Sequence, residues 1–167
     1  MIAALLSALL LEVSAFAVPP PMRVTLLGTG TPTPESDRAG ASVLVQANGV
    51  SLVFDAGRSI VVRLHAAGLR LDGIDAVFLT HLHFDHVTGL PDLLLTSRMP
   101  ADYGQRTKPL PLFGPRGTSA LARGIEAAFG GDIDLRHRTQ SLSPEVARFL
   151  ASEFNADGIV FERAGVT

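Results

Sequence analysis

Thr80-His81-Leu82-His83-Phe84-Asp85-His86 follows directly on the apolar run Ile74 to Leu79. Three imidazoles and one carboxylate within six positions make a metal-ligand set. The apolar run has the length and composition of a buried strand. A strand that delivers ligands to a loop at its carboxyl end fixes them on a rigid support. In extended backbone, side chains two positions apart point the same way, so His81 and His83 can share one metal. Asp85 and His86 follow where the chain should turn, which predicts a second metal position beside the first. Paired hydrolytic metals sit about 3.5–4 Å apart. Imidazole and carboxylate suit zinc, and also iron or manganese. The competing reading, a chance cluster of solvated histidines, fits a lone His far better than a set this dense.

The pattern His81-x-His83-x-Asp85-His86 after an apolar strand resembles the signature of the metallo-β-lactamase superfamily. Val24-Thr25-Leu26-Leu27-Gly28-Thr29-Gly30-Thr31-Pro32 is similar to the opening strand and loop of its ribonuclease Z and arylsulfatase-like branch. Phe54-Asp55-Ala56-Gly57 resembles that branch's strand-ending Asp-x-Gly, Gly89 to Leu94 its helix after the metal loop, and Leu112 to Thr118 its later strand-to-helix turn. The resemblance implies an α/β fold, the αββα sandwich, with two zinc ions at one edge of the sheets. It implies that His81 and His83 bind one ion, and Asp85 and His86 the other. Asp85 would also handle a proton of the attacking water, and Asp55 would steady the ligand loop from behind. The implied activity is metal-dependent hydrolysis of a phosphodiester or related ester, with RNA or a small ester as substrate.

The family completes its site with a third His, a bridging Asp and a last His. Nothing after His86 matches them. His137 lies between Arg136 and Arg138, where flanking cations disfavour a bound cation, and reads as a surface residue. His65 reads as ordinary packing on a helix. Val160 to Thr167 resembles the hairpin that precedes the third His. The expectation is a domain over residues 22–167 that covers the first half of the sandwich, with one apolar sheet face uncovered and a tendency to self-associate, as a homodimer for instance. A metal-binding protein without activity is the alternative that the short ligand set leaves open.

Composition narrows the partners. The 167 residues carry a formal charge of −2, so no basic surface advertises nucleic acid. Cysteine is absent, which excludes disulfides and thiolate ligands. Met1 to Ala17 is apolar, ends in Ala15-Phe16-Ala17, and precedes Pro19 to Pro21. Residues 1–21 thus resemble a signal peptide and a proline-rich junction, which favours a periplasmic or secreted small-ester hydrolase of arylsulfatase type. Glu12 and the lack of a preceding cation favour a shifted start and a cytoplasmic enzyme instead. The segment is too short and interrupted for a stable membrane span.

Local signals place the remaining elements. Asn48-Gly49 between two β-rich runs predicts a hairpin. Ser59 to Ala67 has helical spacing, with Gly68 as its stop. Gly89 to Ser97 predicts a helix with Pro91 in its first turn. Gly28 to Gly40 and Met99 to Pro109 predict loops, since Pro32 and Pro34 block the helix that a dinucleotide motif would need. Leu110 to Phe113 predicts a strand and Thr118 to Phe129 a helix closed by Gly130-Gly131. The alternation from Asp132 to Arg136 predicts a strand. Val146 to Phe154 fits either a helix or a strand.

Overall fold

The computed structural model describes residues 22–167. The leader-like segment falls outside these residues. The order is β1 (Arg23–Gly28), β2 (Ser42–Ala47), β3 (Val50–Phe54), α1 (Ile60–Ala66), β4 (Ala76–Phe78), α2 (Phe84–Val87), α3 (Leu90–Ser97), β5 (Leu110–Gly114), α4 (Thr118–Ala128), α5 (Gly130–Gln140) and β6 (Phe149–Glu153). One six-stranded sheet runs β1-β2-β3-β4-β5-β6. The first three strands form an antiparallel meander. Strands β3 to β6 are parallel to one another. Since β1 also runs with β3, the segments leaving β1, β3, β4, β5 and β6 emerge at one edge. In open α/β sheets this carboxyl edge is where ligands bind.

The side chains sort by strand alternation. Leu44, Val53, Val77 and Leu112 face one way and pack with Ile60, Leu64, Leu90, Leu93, Leu94 and Ile125 of the helices. This is the main core. The opposite face carries Val50, Leu52, Ala76 and Phe78, with no helical residue in its cluster. There Phe54, Phe78 and Phe113 are cross-strand neighbours by register. Their rings stack at 5.1 and 4.9 Å, and Phe161 meets Phe78 edge-on at 5.8 Å. Val24, Leu26 and Leu150 lie exposed. The described residues therefore build one helical layer on one sheet, the half-sandwich expected from the sequence. Among them, no helix is long and apolar enough to cross a membrane.

The Asn48-Gly49 turn has φ of 49° and 78°. Two positive φ values are the type I′ geometry that matches strand twist. The strand expected at Asp132 to Arg136 is instead the centre of α5, and Gly130-Gly131 opens this helix rather than closing α4. Alternation misled because Ile133 is buried while Leu135 is 51% exposed, so the run has no single apolar strand face. Pairs at helical spacing decide the outcome. Arg136 meets Asp132 at 2.9 Å, and Asp132 also receives the buried Arg98 of the α3 C-cap at 2.9 Å. Burial lowers the Arg98 pKa, and Asp132 opposes that shift. The ambiguous segment is both things in turn: a 3-10 turn over Pro144–Ala147, then β6. Val160 to Thr167 adds no strand to the sheet. It closes a tight turn through a single bridge between Arg163 and Val166.

Backbone crowding holds the carboxyl-edge loops together. A Cβ on Gly57 would lie 2.5 Å from the Gly40 carbonyl carbon and 2.7 Å from the Asp85 carbonyl oxygen. The Gly57 N–H donates to Ala41 O at 3.1 Å, and Ala56 N–H to His86 O at 2.7 Å. Three chain segments thus meet where only a hydrogen fits. Gly57→Ala should destabilise the fold by about 1–3 kcal/mol through overpacking. Urea unfolding of the variant measures this, and an unchanged midpoint would contradict the crowding.

Glu153, at the end of β6, accepts from Ser119 N at 2.8 Å and Gly117 N at 3.1 Å at the start of α4. The Ser119 N–H is the main cause that holds its carboxyl below the ordinary range, and Gly117 adds to it. A depressed folded pKa gives stability that is present above the unfolded Glu value of about 4.3 and lost as pH falls through the folded value. Glu153→Gln should therefore be less stable than wild type at pH 6, with the gap closing below about pH 4. Denaturant midpoints across that range test the sign; a gap that widens on acidification would contradict it.

Candidate metal centre

The site grows from the ends of β3 and β4. Beyond β4, Leu79 N–H still donates to Phe113 O at 2.8 Å, so the chain enters the loop under sheet control. The chain bends at Thr80, is extended at His83 with φ and ψ of −61° and 144°, and then turns into α2. The turn folds His86 back towards His81. The His81 and His83 ring centroids are 4.5 Å apart, and those of His81 and His86 4.1 Å. The three rings form one cluster with His81 in the middle. Asp85 is buried on α2, and its Oδ2 lies 3.7 Å from His86 Nε2.

Asp55 sits beneath this cluster. It is buried and follows β3 with φ of 60°, a conformation that Asp tolerates better than most residues. Its Oδ1 accepts the Thr80 N–H at 2.9 Å. Its Oδ2 accepts from the Thr80 hydroxyl at 2.9 Å and pairs with His86 Nδ1 at 2.8 Å. The Thr80 hydroxyl also lies 2.9 Å from His81 Nδ1. Both rings are therefore occupied at Nδ1, which leaves each Nε2 as the available donor atom. That is how metal-binding imidazoles are oriented. Among the described residues, no three His, Cys, Asp or Glu side chains close around one point as a complete cage. The donor chemistry of His81, His83, Asp85 and His86 fits a divalent cation, with ligand positions left for further groups.

The other histidines stand apart from this cluster. His65 of α1 meets Tyr103 edge-on at 6.4 Å. His137 lies on α5 with Nδ1 3.1 Å from Leu142 O. Sequence reasoning missed Arg58. Its Nη2 donates to the carbonyls of Thr31, Pro32 and Thr33 at 2.9, 3.2 and 3.2 Å. It thereby pins the loop after β1 beside the site. A cation directly after Asp55-Ala56-Gly57 was the available signal, but its acceptors lie more than twenty positions upstream.

Residues 22–113 match the family model for anti-Pycsar protein Apyc1, more than half of the chain. A curated ribonuclease Z from Mycobacterium bovis is 40% identical over 148 residues, which are 87% of this chain and 51% of that protein. The chain spans about half the length of the curated relatives it matches. The crystal structure of the human tRNase Z short form superposes with a TM-score of 0.59 at 30% identity, covering 78% of this chain and 44% of that one. The metallo-β-lactamase fold protein YhfI from Bacillus subtilis gives a TM-score of 0.60 at 23% identity, over 86% of this chain and 50% of that one, which speaks to fold alone. The chain is thus a ribonuclease Z-like member of the metallo-β-lactamase superfamily and belongs to the Apyc1 family whose model it matches.

Proposed function

We propose that this chain carries the metal-binding part of a hydrolase that cleaves a phosphodiester, with RNA as the substrate class suggested by the names of its relatives. The observation that carries the reading is the ring cluster itself: His81, His83 and His86 gathered over Asp55, with Asp85 buried beside them. His81 and His83 would hold one zinc ion, and Asp85 and His86 a second, with iron or manganese as alternatives. Ions bound there supply Lewis acidity and lower the pKa of water to about 7. Asp85 would take a proton from the attacking water. Asp55 and Thr80 hold the rings, and the Gly57 crossing keeps the ligand loop from drifting. The formal charge of −2 gives no broad electrostatic pull on RNA, so substrate contact would rest on the site and its bordering loops.

A second reading has its own support. His81 and His83 alone are too few ligands to hold zinc in four-coordinate geometry, which favours a metal-binding protein without turnover. The two separate in one experiment on the purified chain: zinc content by atomic emission, and hydrolysis of bis(p-nitrophenyl) phosphate and a precursor transfer RNA. The hydrolase reading expects bound zinc and turnover. It also expects His83→Ala to lower zinc retention and cut turnover by at least about 100-fold. Zinc without turnover supports the second reading. Turnover unchanged in His83→Ala would remove these residues from the chemistry.

A further inference from the structure

The Thr80 hydroxyl has one proton and three close polar neighbours. Its Oγ1 lies 3.1 and 2.9 Å from the two oxygens of Asp55, and 2.9 Å from Nδ1 of His81. An ionised carboxylate only accepts hydrogen bonds. The hydroxyl proton therefore goes to Asp55, and the lone pairs of Oγ1 face His81. The remaining contact is satisfied only when His81 carries its proton on Nδ1 and donates it to Thr80. The same reasoning at His86 puts a proton on Nδ1, donated directly to Asp55 Oδ2 at 2.8 Å. The Thr80 N–H, which donates to Oδ1 at 2.9 Å, keeps the carboxylate in register with both contacts.

We propose that Thr80 is a positioning residue that extends the reach of Asp55 to His81, so that one carboxylate sets the tautomer of two rings: His86 directly, and His81 through a hydroxyl. A free neutral imidazole of histidine prefers its proton on Nε2. At His81 that tautomer would leave two acceptors, Nδ1 and Oγ1, sharing one proton already drawn to Asp55. The relay reverses the intrinsic preference and leaves the Nε2 lone pair free. It rests on the metal-binding reading only for its purpose. The tautomer itself is a property of the metal-free chain.

The test is nitrogen-15 NMR of the imidazoles in the full chain, with a chelator present. At about pH 8.5, ordinary imidazoles are neutral. Wild type should show His81 and His86 mainly as Nδ1–H. In Thr80→Val, His81 should turn mainly to Nε2–H while His86 keeps its tautomer. Thr80→Ser should restore wild-type behaviour. In parallel, calorimetric titration with zinc chloride should show Thr80→Val about 10-fold weaker or more, and Thr80→Ser close to wild type. His81 as Nε2–H in wild type would overturn the relay, whether or not the valine variant folds. An Nδ1–H His81 in a folded Thr80→Val would overturn it as well. If the tautomers behave as stated but zinc binds to no variant, the relay stands and the metal reading fails.

Discussion

The carboxylate of Asp55 ties three pieces of chain into one site. It closes β3, takes the Thr80 amide and hydroxyl at the end of β4, and takes His86 from α2. Hydrogen bonds to a charged acceptor are about twice as strong as neutral ones. Burial strengthens them further and makes any loss expensive, because a partner left unpaired in a low dielectric costs about 1–3 kcal/mol. The left-handed φ of 60° at Asp55 turns its side chain towards these partners rather than along the strand. The ligand loop holds its shape because its ends are anchored here. The ring cluster follows from that shape.

The rest of the fold supplies a platform for that carboxylate. Strands β3 and β4 are parallel neighbours in register from Leu52 with Ala76 to Phe54 with Phe78. Their exits therefore fall side by side. The main core is sealed by Val53 and Val77, both fully buried and in one cluster with residues of α1 and α3, so neither strand can slide without opening a cavity. Crowding at Gly57 fixes the height of the loop above the sheet, and Arg58 fixes the loop after β1 beside it. Rigid packing below and backbone contact above leave the imidazoles few places to go.

Much of this was readable in the chain because the signals are local. The histidine-rich loop after β4, the Asn48-Gly49 turn and α3 each depend on residues within a few positions of one another. His86 was harder. Spacing put it at a position beside His81 without saying how the chain gets there; the turn into α2 brings its ring to 4.1 Å from His81. The Asp132 to Arg136 segment was misread because an alternating run can also wind into a helix when i,i+4 pairs and a tertiary partner, here Arg98, favour it. Arg58 and Gly40 were not legible as supports. Their roles depend on contacts between segments that only the folded sheet brings together.

X-ray absorption at the zinc edge is the most direct test of these ring positions, on the full chain loaded with zinc. If His81 and His83 hold one ion, and Asp85 and His86 a second, the spectrum shows light-atom ligands at about 2.0–2.1 Å with the outer-shell scattering of imidazole. That pattern should vanish in a chain carrying His81→Ala, His83→Ala and His86→Ala together. An imidazole signal that survives the triple substitution, or a wild-type shell of water oxygens alone, would contradict the site.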